Sequence, residues 1–465
     1  MKFGKKEMAA FGFGAVGKDM VYALSASFVM YYYQDILGIS AAFVGTILMI
    51  ARVFDAINDP FMGILVAKTN TKWGRFRPWV LLGTILNAIV LIYMFNVPAL
   101  EGSALRTYFS VIYILWGVTY TMMDIPYWSM IPAVTDNAKD RENMSVVGRT
   151  CAGVGNALIT IGTVMAVAML GKGNERAGFG TFAIIVAVVF VIAEVLLFVC
   201  IKEHKSEEKM ETVSIKEMFS SLFRNDQAMV TVITIVLINT ALYITSNLII
   251  YFFKYDIGGA NWSGTYTLFS SVGGASQILG MMIVYPLLRK KLGNTQIFRL
   301  CLLSAITGYG LLLAVCLLGF AHNIAIILIP GILVFLSNGI LTVLTTVFLS
   351  SSVDYGELKT GHREESVIFS MQTFVVKLAS GVAVFLTGIG ISMIGLVGNA
   401  DTEGEIVAQS ASTLMGLRLL MTIIPILGLV CAFFVFKNKF ILSDEKSEEI
   451  AAQLKAMRKE TGDEA

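Results

Sequence analysis

Long apolar runs and short polar breaks alternate along the chain twelve times. The runs lie near 14–37, 42–67, 78–95, 107–132, 144–170 and 178–201, and again near 228–253, 263–288, 297–320, 324–353, 367–393 and 411–436. Each reaches the roughly 17–25 residues that carry a helix across a bilayer, and some exceed it. Alternating strands of about 10 residues are absent, which excludes a membrane β-barrel. The longest polar break, KEHKSEEKMETVSIKEMFSSLFRNDQ at 202–227, leaves six runs on either side. The pattern predicts an all-α membrane protein with 12 transmembrane helices: a six-helix bundle at 1–201, a cytoplasmic middle loop at 202–227, a second six-helix bundle at 228–436 and a tail at 437–465. In the middle loop Ile215, Met218, Phe219, Leu222 and Phe223 fall at i, i+3, i+4, i+7 and i+8. That spacing predicts a short amphipathic helix on the inner membrane surface; a plain tether is the alternative.

Composition agrees with the pattern. The chain is 56% hydrophobic and only 15% charged, whereas a soluble domain is about 25% charged. A soluble enzyme, a nucleic-acid binder and a disordered scaffold are excluded. The net charge of +2 shows no preference for a polyanionic partner. Lys and Arg set the orientation. The loops after even-numbered runs hold 16 of them, against four (Arg106, Lys172, Arg176, Lys254) in the other loops. Lys2, Lys5, Lys6 and six more basic residues after 436 join the rich side, so both termini are expected in the cytoplasm. No removable signal peptide is expected. The acidic and basic tail, Ser443–Ala465, is expected to be solvated. The two halves are weakly related: GILVAKTNTKWGRFRPW and YPLLRKKLGNTQIF each place a basic cluster around a Gly before the third run of their half. Parallel repeats of this kind suggest a two-bundle transporter.

The few charges inside the runs carry the chemistry. Lys18, Asp19, Arg52, Asp55, Asp59, Asp124, Arg149 and Lys377 are deep candidates. Each costs about 2.5–3.5 kcal/mol at the centre of an isolated helix, so they must face one another or a wet cavity. In ARVFDAINDP, Asp55 and Asp59 share a helix face at i, i+4, and Arg52 lies three residues before Asp55. Asn58 adds an amide oxygen, and Pro60 frees a backbone carbonyl. The set suits a cage for a hard monovalent cation (Asp55 and Asp59 as ligands of Na⁺ or Li⁺) or a proton site. A salt bridge with Arg52 that locks helix packing is the other reading. In YTMMDIPYWSMIP, Tyr120, Asp124 and Trp128 recur every four residues, and Thr121 stands three before Asp124. A phenol, a carboxylate and an indole on one face suit a sugar; an interfacial aromatic belt fits the same spacing.

Lys18 and Asp19 are neighbours that point about 100° apart and need not pair. Asp19 and Arg149 can bracket a polyhydroxyl ligand, or form structural ion pairs. Lys377, in SMQTFVVK beside Gln372 and Thr373, reads as a counter-charge to the first-half acids or as a snorkelling lysine. Glu194 and Arg418 read as snorkelling or bundle contacts, and Asp35 as a surface or gate residue. His204, His322 and His362 fall in loops or at run ends, so no histidine relay is visible. The five cysteines show no pairing pattern and read as reduced packing residues. Walker, GxSxG and HExxH motifs are absent. A membrane sensor or lipid carrier is disfavoured: no sizeable soluble domain is appended, and an apolar cavity would not need eight charges.

YYYQDILG, ARVFDAINDPFMG, TKWGRFRPW, MDIPYWSMIP and VDYGELKTGHREESVIFSMQTFVVK occur in this order through nearly the whole chain. They resemble the glycoside–pentoside–hexuronide cation symporters of the major facilitator superfamily. The resemblance implies the major facilitator fold and alternating access. It also implies sugar symport driven by Na⁺, Li⁺ or H⁺ across a bacterial inner membrane, with no cofactor beyond the coupling ion and a monomeric chain. By motif match it assigns Asp55, Asn58, Asp59 and Thr121 to a cation site, with Asp124, Lys377 and Arg52 close to it. It assigns Asp19, Asp124, Trp128 and Arg149 to a sugar site, with Lys18, Tyr120 and Thr373 nearby. Thr342 stands where melibiose-type members carry an aromatic residue, and SVVGRTC lacks their Pro and Tyr. The implied substrate is a glycoside, melibiose or another galactoside, with another disaccharide, a pentoside or a hexuronide open. An H⁺-only symporter or a uniporter also remains open.

Overall fold

The computed structural model describes residues 4–134, 138–203, 220, 223–259, 261–360, 365–398 and 406–461. Twelve long helices follow one another among these residues: α1 Lys5–Tyr31, α2 Ala41–Lys68, α3 Arg77–Phe95, α4 Gly102–Val134, α5 Ala138–Gly171, α6 Glu175–Cys200, α7 Asp226–Tyr251, α8 Trp262–Leu279, α9 Asn294–Leu317, α10 Ile324–Thr360, α11 Glu365–Met393 and α12 Ala411–Lys439. A thirteenth, α13, covers Asp444–Thr461. α1 and α7 both end in a π turn, Tyr32–Ile36 and Phe252–Ile257, and α8 continues through another to Arg289. The described residues hold no strand, only an isolated bridge between Thr71 and Gly74. Nine stretches are long and apolar enough to cross a membrane. The long helices outside that set, α1, α2 and α4, carry Lys18, Asp19, Arg52, Asp55, Asp59 and Asp124.

The chain divides into two compact units. The first holds 1–212 with 388–409, the second 213–387 with 410–465. In the first, α1 packs on α5 and α6, α3 on α4 and α6, and α2 on α4. A Cβ on Gly155 would sit on the carbonyl of Val16, so only glycine lets α5 come this close to α1. Tyr32 and Tyr33 donate to the carbonyls of Phe95 and Met94, both at 2.8 Å, and tie the end of α1 to the end of α3. The start of α3 is closed by Glu203, just beyond α6. Its carboxylate accepts from the backbone amides of Arg75, Phe76 and Arg77 at 2.6, 2.9 and 2.6 Å. A carboxylate fits there because the first amides of a helix lack internal partners and carry partial positive charge. The last residues of α11 belong to this unit, where Ser392 Oγ accepts from the amide of Ala42 at 3.0 Å.

The second unit repeats the device. Asp444 accepts from the amide and side chain of Asn294 at the start of α9, both at 2.9 Å, and pairs with Arg289 at 3.0 Å. Its core gathers Phe298, Phe348, Phe436 and Phe440. Ile450 and Leu454 of α13 are buried in that cluster. In the π turn after α7, Asp256 is 1% exposed and receives both Nε and Nη2 of Arg418, at 2.7 and 2.6 Å.

Several expectations change here. The helices outrun the apolar stretches; α1 starts at Lys5 and α10 ends at Thr360. Hydropathy marks the depth of the bilayer, whereas the backbone ladder continues into water. The tail is a docked helix with a buried edge, because Ile450 and Leu454 at i, i+4 give it an apolar stripe. Lys254 is buried in the π turn and does not belong to an exposed outer loop. Asp35 is fully buried; it is not a surface residue. Of the two readings of Arg418, the bundle contact holds, since it pairs with the buried Asp256. The expected amphipathic helix of the middle loop, His204 and His362 lie outside the described residues, apart from the exposed Phe223.

Candidate functional site

Lys18 is the centre of the first group. It sits mid-helix on α1 and is 2% exposed. Its ammonium donates to Asp19 Oδ2 at 2.8 Å and to Asp124 Oδ1 on α4 at 2.7 Å. The neighbours do pair, although their angular offset did not require it: the four-carbon stem of lysine lets Nζ turn back toward its own helix. Trp128, one turn beyond Asp124, donates its indole N–H to the same Oδ1 at 3.1 Å. The Lys18 ammonium lies 4.8 Å from the Trp128 ring centroid and 5.3 Å from that of Tyr127. Arg149 on α5 is exposed, with its guanidinium 4.3 Å from the Trp128 centroid. Tyr120 stacks on Trp116 at 5.3 Å and has Lys18 5.9 Å from its ring. Two carboxylates, two cations and an aromatic face meet here, formally neutral, with Asp19 and Asp124 partly open at 20% and 27% side-chain exposure. Carboxylates accept hydroxyl hydrogens, a guanidinium donates to hydroxyl oxygens, and an indole face packs on C–H groups.

The second group joins α2 to α4. Arg52 pairs with Asp55 at 3.7 Å and lies 5.5 Å from the ring of Tyr22. Thr121 Oγ1 donates to Asp59 Oδ1 at 3.2 Å. Asn58 stands half-buried beside Asp59 on α2. One guanidinium and two carboxylates give these three residues a formal charge of −1. Oxygen donors of this kind suit a hard cation. The salt bridge that the sequence left as a rival reading is present, and it coexists with Asp59 on Thr121.

Of the residues singled out in the sequence, Lys18, Asp19, Tyr120, Asp124, Trp128 and Arg149 come together, and Arg52, Asp55, Asp59 and Thr121 form the adjoining set. Lys377 lies on α11 in the second unit, where its carbonyl accepts from Ser380 at 2.7 Å. The side chain of Thr373 lies outside the described residues. One residue escaped the sequence reading, and a second was read there only as a snorkelling or bundle contact. Gly117 faces Asp55: a Cβ there would come within 2.7 Å of Oδ1. Glu194 is fully buried on α6, and neither carboxylate oxygen has a hydrogen-bond partner among the described residues; it does not snorkel. The signal was present, since Gly180, Ala183, Ala187 and Glu194 fall on one buried stripe of α6.

Fold and buried charge together define a multi-pass membrane transporter. The chain matches the family of MFS/sugar transport proteins over residues 10–438. It is 30% identical to the isoprimeverose transporter of Lactiplantibacillus pentosus over 88% of this chain and 83% of that one. It is 25% identical to the raffinose carrier protein of Pediococcus pentosaceus over 96% of this chain and 70% of that one. The fold resembles a bacterial homologue of the human lysosomal transporter Spinster, at a TM-score of 0.65 and 12% identity, over 93% of this chain and 96% of that one. The chain belongs to the glycoside–pentoside–hexuronide symporter family of the major facilitator superfamily; it is a transporter and not an enzyme.

Proposed function

We propose that the protein carries a glycoside together with a monovalent cation, Na⁺, Li⁺ or H⁺, by alternating access, with both termini in the cytoplasm. Asp19, Asp124 and Arg149 hydrogen-bond the sugar, Trp128 packs under its ring, and Lys18 and Tyr120 complete the pocket. Asp55, Asn58, Asp59 and Thr121 hold the cation. One observation carries this reading: the two groups share α4. Thr121 is bonded to Asp59, and Asp124, three residues on, is bonded to Lys18 and Trp128. A cation that draws in Asp55 and Asp59 acts on the helix that presents the sugar acceptors. The relatives that transport isoprimeverose and raffinose favour a di- or oligosaccharide over a free monosaccharide. Thr342 and the SVVGRTC approach to Arg149 set this sequence apart from the melibiose type.

Uptake into proteoliposomes tests the reading. Isoprimeverose, lactose, melibiose, raffinose and a glucuronide are each offered with a Na⁺, Li⁺ or pH gradient. At least one sugar should accumulate against its gradient with at least one ion. Asp59→Cys should abolish ion-driven accumulation, and Asp19→Ala or Asp124→Ala should abolish sugar binding, because each removes acceptors that desolvated hydroxyls require. Full accumulation by Asp59→Cys, or normal sugar affinity in the other two, refutes the assignments.

A further inference from the structure

Lys18 has three donors on its ammonium, and two of them are taken by Asp19 and Asp124. If sugar hydroxyls claim those carboxylates, a cation that is 2% exposed loses its partners. A desolvated charge without a partner is among the costliest arrangements in a membrane interior. An acceptor must lie within the swing of the lysine stem.

Glu194 is placed for it. It reaches α1 from α6 at Gly14, where Oε1 would be 3.4 Å from an added Cβ. Gly14 is one turn before Lys18, on the same face of α1. Helix Cα–Cβ bonds lean toward the N-terminus, so the Lys18 stem already tilts toward Gly14. One turn is about 5.4 Å, within the sweep of a four-carbon side chain. Tyr127 borders both ends of that path: its ring edge is 3.1 Å from the Cβ position of Gly14, and its centroid is 5.3 Å from the Lys18 ammonium. Lys18, Asp124 and Asp19 are also the charges that act on Glu194. Both its oxygens are without a hydrogen bond among the described residues.

We propose that Glu194 is a positioning residue for sugar binding: the alternate acceptor to which the Lys18 ammonium moves when sugar takes Asp19 and Asp124. This rests on the sugar site assigned above. The move breaks two ion-pair hydrogen bonds and forms new ones on Glu194, while the released carboxylate oxygens accept sugar hydroxyls.

Glu194→Gln keeps shape and removes the carboxyl group. Because Glu194 makes no hydrogen bond to lose, the variant should fold and melt within a few degrees of the unaltered protein, while its affinity for the panel sugar that binds best falls by about tenfold or more. Glu194→Asp should recover part of that loss. The infrared difference spectrum, sugar-bound minus free, should contain a carboxylate band that shifts on ¹³C-glutamate labelling and disappears in Glu194→Gln. Unchanged sugar affinity in a folded Glu194→Gln protein, or a difference spectrum without a glutamate band, overturns the proposal. Asp19→Asn and Asp124→Asn separate the two levels. If they bind sugar normally, the sugar site itself is misassigned. If they lose binding while Glu194→Gln does not, only the role of Glu194 fails.

Discussion

One absent methyl group makes room for the Asp55 carboxylate against α4. A side chain at Gly117 would meet Asp55 Oδ1 at 2.7 Å. The clash is with the movable end of a carboxylate, so Gly117→Ala should leave the helices in place and displace the carboxylate. Apparent cation affinity should fall by about 10–100-fold, the usual effect of disturbing a ligand's surroundings, with the melting temperature little changed. Gly155→Ala is the opposite case. Its methyl would meet the backbone carbonyl of Val16, which cannot turn aside. The expected result is a loss of about 1–3 kcal/mol of stability, visible as a lower melting temperature in detergent. Nothing in the sequence sets either position apart from other glycines in the apolar runs, because what they touch belongs to other helices. The charged residues were more legible: burial in lipid is so costly that Lys18, Asp55, Asp59 and Asp124 stood out without a partner being known. Which of them paired was hidden, as Lys18 and Asp19 show.

At the scale of the element, α4 joins the two groups and carries a ladder of Phe109, Tyr113, Trp116 and Tyr120, with successive ring centroids 5.9, 5.7 and 5.3 Å apart. The ladder runs along the helix from its first half to the charged cluster. The π turns after α1 and α7 were invisible to hydropathy, since YYYQDI and YFFKYDI read as ordinary aromatic span ends. In the second of them Arg418→Met would leave Asp256 buried without its bidentate partner, a loss of about 3–5 kcal/mol. A lowered melting temperature that Asp256→Leu restores in the double variant checks this. The helix-start carboxylates make a smaller claim. Glu203→Ala should destabilise the first unit by about 1–2 kcal/mol, the scale of a lost cap, read from the same thermal melts.

For the molecule as a whole, the twelve apolar runs and the break between the sixth and seventh were readable because a bilayer imposes one length on every crossing. The docked tail was not, for α13 lies outside the apolar pattern and shows its stripe, Ile450 and Leu454, only in its packing against the second core. Under the proposed symport, coupling between sugar and cation would also be a property of the whole. The factor by which the cation tightens sugar binding must equal the factor by which sugar tightens cation binding. Paired titrations by calorimetry should return one number from both directions; unequal factors would mean that the two ligands were not measured in a single cycle.

The carboxylates that close α3 and α9 bear on how the chain is made. Glu203 follows Arg75 by 128 residues, and Asp444 follows Asn294 by 150. At about 5–20 residues per second on the ribosome, the start of α3 waits on the order of 6–25 seconds for its acid, and that of α9 slightly longer. Each acid emerges only after the sixth helix of its own half. The first half thus receives its closing residue before α7 has been synthesised, and the second half supplies its own. A chain stalled between α6 and Glu203 would carry every helix of the first half with the amides of α3 still open, a mark by which an unfinished product differs from a finished one.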